Sequence, residues 1–294
     1  MTKTAWVFPG QGSQATGMGM DLLEIDYAKD KFAQAEEILG WSVIKICQSE
    51  DDSISRTLYT QPCMYVVETI LADLLRQKGQ QPDLVAGHSL GEYAALYVAG
   101  VFEWSSGLRL IKRRAELMNS VSGGMMAALI GFDRTQLETQ LQQTPDVVLA
   151  NDNSPAQVVI SGTPAAVQEV IAKIKTKRAM PLKVSGAFHS PFMADAASEF
   201  QQVLETVTFN TAKIPVVSNV EPVPTVDAAI LKDRLTRQMT GGVRWRETVQ
   251  RFVEEGVQQV VEIGPGNVLT GLIKRTCPDI SLENVSGKEL GAKG

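Results

Sequence analysis

Gly87-His88-Ser89-Leu90-Gly91 carries the first chemical signal in this sequence. This G-x-S-x-G follows the short apolar run Leu84-Val85-Ala86 and precedes a helical pattern, the strand–turn–helix context of a nucleophile elbow. The glycines permit a sharp, strained turn that pushes the serine hydroxyl out of the sheet edge. The start of the next helix then offers backbone N–H groups to developing negative charge. The chemistry this arrangement serves is acyl transfer through a serine ester. The plainer alternative is a glycine-rich turn whose serine caps a helix.

A serine nucleophile needs a base. The chain holds two histidines, His88 and His189. His88 adjoins the serine, and neighbours on a sharp turn rarely point at one another. Elimination leaves His189, within Ser185-Gly186-Ala187-Phe188-His189-Ser190-Pro191. No carboxylate stands out to orient it, because Glu92 follows the elbow too closely. A second glycine turn, Phe8-Pro9-Gly10-Gln11-Gly12-Ser13-Gln14, follows the first apolar run. Gly10, Gly12 and Ala15 superficially fit a dinucleotide fingerprint, yet no second strand ends in an acidic residue about 20 positions on. No Lys-Ser or Lys-Thr follows, which excludes a phosphate loop. A loop that lends a backbone N–H to the serine site is the better reading. Arg114 is the remaining chemical candidate. On a helix over Gly107 to Asn119, Leu108, Ile111, Ala115 and Met118 form the buried stripe. Arg114 lies about 40° from Met118 and can face inward, whereas Arg113 points away.

The elements that must hold these groups follow from periodicity. Ala5 to Phe8 reads as a strand, Ala28 to Leu39 as a helix, Cys63 to Gln77 as a helix after Pro62, and Glu92 to Val101 as the helix after the elbow. This alternation argues for βα units. The middle third changes rhythm: strand Met125 to Ile130, helix Arg134 to Gln143, strands Val147 to Ala150 and Gln157 to Ser161, helix Pro164 to Lys175 capped by Thr163, and strand Met180 to Val184. That β-α-β-β-α-β order is ferredoxin-like. Strands at Val216 to Ser218 and Val257 to Ile263, a Gly264-Pro265-Gly266 turn and a helix over Asn267 to Arg275 return to α/β. The expected fold is a large α/β subdomain with a parallel sheet, residues 1–123 and 192–294, carrying an inserted ferredoxin-like α+β subdomain, residues 124–191. A ligand site belongs in the cleft between them.

Bulk properties narrow the function. With 294 residues, 44% apolar and 21% charged, the chain has the composition of an ordinary globular protein. A net charge of -5 and no basic run longer than Lys112-Arg113-Arg114 argue against nucleic acid and anionic membranes as partners. Cys47, Cys63 and Cys277 are scattered, as expected of reduced thiols in a cytosol. No signal peptide is read at Met1-Thr2-Lys3-Thr4, and no apolar run approaches the ~20 residues of a membrane span.

Phe8 to Gln14, Gly87 to Tyr93, Thr60-Gln61-Pro62, Arg114 four residues before Met118, Gly186 to His189, and Ile263 to Gly266 together resemble the malonyl-CoA:acyl-carrier-protein transacylase family. The matches run in the family's order over nearly the whole chain. The resemblance implies a hydrolase-like large lobe, a Ser89 nucleophile and a His189 base. It implies an oxyanion hole from the amides of Gln11 and Leu90, and an Arg114 that clasps the malonyl carboxylate. Gln61, Met118 and Phe188 would line the substrate pocket, with Ala187-Phe188 matching the malonyl-selective form. A backbone carbonyl near Arg244 would orient His189 in place of an acid. Malonyl-CoA and an acyl carrier protein are the implied partners of a cytoplasmic monomer that needs no metal or redox cofactor. A serine hydrolase or thioesterase is the alternative, expected to place an acid on its histidine and to lack the inward arginine.

Overall fold

Strands covered on both faces read as continuous apolar runs, and the larger sheet is built of such strands. The computed structural model describes residues 2–287 and 290. Met1 and residues 288, 289 and 291–294 of the expected large subdomain lie outside the described residues. Five strands, β1 (Thr4–Phe8), β2 (Leu84–Gly87), β7 (Val216–Val217), β8 (Gln259–Ile263) and β9 (Ser281–Val285), form a parallel sheet in the order β7-β2-β1-β8-β9. Side chains alternate across it. Ala5 and Val7 enter one core with Val260, Phe252 and Leu269. Trp6 and Phe8 enter the main core with Ile70, Leu71 and Ile263.

The middle of the chain forms β3 (Met125–Phe132), β4 (Val147–Ser154), β5 (Gln157–Gly162) and β6 (Thr176–Pro181), an antiparallel sheet in the order β4-β5-β3-β6. Helices Arg134–Gln143 and Pro164–Lys173 cover one face, where Leu129 and Ile160 meet Leu137 and Val167. Each helix is started by a side-chain cap, Asp133 to Gln136 N and Thr163 to Ala166 N. The other face, through Met126, Ala128 and Val159, joins the main core.

Two elements depart from expectation. The helix expected from Cys63 begins at Thr57 and runs to Gln77, with Pro62 inside it. Proline gives up one backbone hydrogen bond there, but every residue from Thr60 to Leu75 is buried, and that packing outweighs the loss. The strand expected over Met180 to Val184 is β6, four residues earlier at its start and ended at Pro181. It is an edge strand paired only with β3, so polar Thr176-Lys177-Arg178 can occupy it and no apolar run marks it. The helix after the elbow spans Gly91–Val98. Helices Ala194–Glu205, Ala228–Gln238 and Trp245–Glu254, and strand β9, were not assigned from sequence. Among the described residues no helix is long and apolar enough to cross a membrane.

The elbow is pressed against β1. A Cβ on Gly91 would lie 2.1 Å from the Phe8 carbonyl oxygen, and one on Gly87 would lie 1.9 Å from the Gly91 carbonyl carbon. Gly91→Ala is therefore expected to cost roughly 3 kcal/mol or more. Gly271→Ala, where an added Cβ meets nothing within 4 Å inside helix Val268–Thr276, should be neutral or stabilising by up to about 1 kcal/mol. Urea unfolding midpoints measure both, and equal midpoints would show that the elbow has room to move.

Candidate active site

β2 ends and the next helix begins within four residues, and Ser89 occupies the turn at φ 54°, a region that non-glycine residues seldom adopt. The strain is held by Asn219, just after β7, the strand beside β2. Its side-chain oxygen accepts from the Ser89 N–H at 2.7 Å, and its amide nitrogen donates to the Gly87 carbonyl at 2.5 Å. Sequence analysis missed Asn219. Its one signal was position, since residues just beyond adjacent parallel strands converge at the carboxyl edge of a sheet.

His189, on the segment between β6 and helix Ala194–Glu205, lies with Nε2 2.7 Å from Ser89 Oγ. Its Nδ1 faces two carbonyls, Gln238 at 3.0 Å and Gly241 at 3.1 Å. Nδ1 therefore carries the proton, and Nε2 is free to accept from the serine hydroxyl. The expected orienting carbonyl near Arg244 is not the one used. The Arg244 carbonyl accepts from Thr248 N at 3.0 Å in the first turn of helix Trp245–Glu254. The Gln238 carbonyl stands at the end of its helix, where no later turn claims it. His88 turns elsewhere: Nε2 bonds Asn153 Oδ1 at 2.8 Å, and the ring meets Trp245 edge-on.

Arg114 is 1% exposed and reaches inward from helix Trp104–Ser120. Its guanidinium donates to Gln61 Oε1 at 2.6 Å, Gln238 Oε1 at 3.1 Å and Ser89 Oγ at 3.1 Å. Gln11, Ser89, Leu90, Arg114, Met118, Phe188 and His189 line one cleft between the two sheets, with Met126 from the smaller sheet and Leu182 and Val184 from the segment after it. Gln61 stands behind that lining, bonded to Arg114 and to Met118 Sδ. The backbone N–H groups of Gln11 and Leu90 are taken up by no turn or cap hydrogen bond among the described residues.

Burial, reinforced by the Arg114 charge, holds the His189 imidazole down to about 3 against a usual 6.5, although the carbonyls on Nδ1 pull the other way. A neutral base beside a serine hydroxyl, two free amides and a cation 3.1 Å from the nucleophile suit attack on an acyl group that carries its own negative charge.

The acyl transferase domain family matches residues 5–290. The malonyl CoA-acyl carrier protein transacylase of Synechocystis sp. is 62% identical over 283 residues, covering 96% of this chain and 97% of that one. The crystal structure of the Synechocystis malonyl-CoA:ACP transacylase superposes with a TM-score of 0.97 at 60% identity, covering 98% of this chain and 99% of that one. A type II PKS acyl-carrier protein solved in complex with its malonyl-transacylase contains a chain that superposes at 0.93 and 37% identity, covering 99% and 98%.

The unfolded chain takes up a proton on this imidazole near 6.5, whereas the folded one waits until about 3. Its contribution to stability is thus intact above pH 6.5 and is lost progressively as pH falls below that value. Ring-nitrogen NMR should find His189 neutral, with the proton on Nδ1, at pH 5. Arg114→Ala should move its titration upward, because a repelling charge has gone. A wild-type titration near 6.5 would contradict the buried geometry.

Proposed function

The chain belongs to the acyl transferase domain family, among its malonyl-CoA:acyl-carrier-protein transacylases, and on that premise we propose that it moves malonyl from coenzyme A to an acyl carrier protein through an ester on Ser89, supplying fatty acid biosynthesis. One observation carries the reading: Ser89 Oγ stands 2.7 Å from a base and 3.1 Å from a buried guanidinium. A nucleophile so placed attacks the thioester carbonyl while the arginine takes the carboxylate at the far end of the same acyl group.

In the first step His189 Nε2 takes the Ser89 proton as Oγ bonds the carbonyl carbon, and the oxyanion sits on the Gln11 and Leu90 amides. The C–S bond then breaks, and His189 returns the proton to the coenzyme A sulfur. In the second step the phosphopantetheine thiol gives its proton to His189, attacks the malonyl ester, and Ser89 leaves with that proton restored. Arg114 acts twice. Its planar fork pairs with the malonyl carboxylate, and that carboxylate in turn offsets a charge that holds the His189 pKa down, so the proper substrate strengthens its own base. Met118 and Phe188 line the acyl end of the cleft. The reading takes the enzyme as a cytoplasmic monomer, and it draws nucleophile, base and oxyanion donors from the chain without a metal or redox cofactor. The arginine, with carbonyls in place of an acid on Nδ1, separates it from the thioesterase alternative.

Malonyl-CoA alone should leave a malonyl ester on the Ser89 peptide, detectable by mass, with ping-pong kinetics once carrier protein is added. Label on another residue, or kinetics that require a ternary complex, would reject the mechanism. His189→Ala should lower transfer by about 100-fold or more.

Arg114→Ala tests selectivity. A hydrogen bond to a charged group is worth about 1.5–3 kcal/mol, so kcat/KM for malonyl-CoA should fall roughly 10- to 150-fold. Acetyl-CoA has no carboxylate and should be used as well as before or better. Equal losses on both thioesters would show that Arg114 serves folding or coenzyme A instead.

A further inference from the structure

Glu92 follows the elbow at the start of helix Gly91–Val98 and is 1% exposed. It donates nothing to the site, yet its Oε2 accepts from Gln238 Nε2 at 2.7 Å and from the Asn219 N–H at 3.2 Å. Gln238 in turn touches every working part. Its backbone carbonyl accepts from His189 Nδ1 at 3.0 Å. Its side-chain nitrogen also donates to the Ser89 carbonyl at 2.9 Å, and its side-chain oxygen accepts from Arg114 at 3.1 Å. We propose that Glu92 is a positioning residue for the transfer: by fixing which end of the Gln238 amide faces Arg114, it sets the guanidinium and the base together. The inference rests on the reading in which Arg114 clasps the malonyl carboxylate.

The physical reason lies in the symmetry of an amide. Its oxygen and nitrogen ends have almost the same shape, so packing alone does not choose between the two orientations. A carboxylate only accepts and a guanidinium only donates. With Glu92 on one side and Arg114 on the other, a single orientation satisfies both. Without the acceptor at position 92 only the Ser89 carbonyl holds the NH₂ end, and an amide that turned over would set its NH₂ against the guanidinium, donor against donor. Arg114 would lose the contact that aims it beside Ser89 Oγ. The segment that presents the Gln238 carbonyl to His189 would lose its anchor to the elbow helix. Glu92 is also the carboxylate that faces the buried Arg114 charge across this amide, and the two bias each other electrostatically.

The test uses the full chain and the ratio of kcat/KM for malonyl-CoA to that for acetyl-CoA, which loss of folded protein leaves unchanged. Glu92→Leu, which removes the acceptor, should lower the ratio by about 10-fold or more. Glu92→Asp, which keeps the acceptor on a shorter stem, should lose less. Gln238→Ala should lower the ratio on its own, and in that background neither Glu92 change should lower it further, because the intermediary is already gone. If Glu92→Leu does not fold, Glu92→Asp in the two backgrounds makes the same comparison. An unchanged ratio in the Glu92 variants, or the same extra factor with and without Gln238, would overturn the proposal. Wild-type enzyme that forms no malonyl ester on Ser89 would instead sink the reading of function beneath it.

Discussion

Burying a guanidinium with no carboxylate in direct contact costs several kcal/mol unless its protons find acceptors, and the site is organised around that requirement at Arg114. Gln61 answers from helix Thr57–Gln77, Gln238 from the end of helix Ala228–Gln238, and Ser89 from the elbow. The Tyr93 ring lies 5.5 Å from the guanidinium carbon, a distance at which its face attracts a cation. Three stretches far apart in the chain, at Gln61, Ser89 to Tyr93 and Gln238, are thereby tied to one side chain. Arg114 Nε has no partner among the described residues. The guanidinium is thus held in place by neutral acceptors rather than by a carboxylate.

The two sheets that flank the cleft are tied together by backbone bonds and ion pairs. β4 continues into the large lobe through a parallel bridge from Asn151 to Val243, with Val243 N donating to Ala150 O and Asp152 N to Val243 O. Asp152, nearly buried, takes Arg134 of the small lobe and Arg246 of the large one, each with a 2.8 Å ion pair. This tie lies beside Gly241, whose carbonyl accepts from His189. The contact that joins the lobes and the contact that orients the base thus share one short stretch of chain. On the smaller sheet's aliphatic face, Ala128 and Val159 pack into the main core with Met126, which also lines the cleft.

Much of this was legible because it is local. The β-α-β-β-α-β order declared itself through alternating strands and helical patterns, and the Thr163 cap read from the sequence is in place. The inward turn of Arg114 followed from helical periodicity alone. Misreadings occurred where burial or edge position overrode a local signal. Pro62 reads as a helix start, but it sits in the second turn of a helix so buried that one missing bond is tolerated. β6 was expected four residues late because an edge strand has no need of apolar alternation to mark its start.

The sequence by itself determined which serine and histidine meet, the inward arginine and the order of the elements in the two sheets. Each of these rests on residue type, on elimination, or on a period of two or 3.6 that neighbouring residues display. The tertiary structure decided which carbonyls orient His189, how Asn219 holds the strained serine, and how Glu92, Gln238 and Arg114 share one hydrogen-bonded chain. Those bonds join residues 49, 124, 130 and 146 positions apart. A hydrogen bond across such a span leaves no periodic trace in the chain, because only the convergence of parallel strands and a helix end brings its donor and acceptor together.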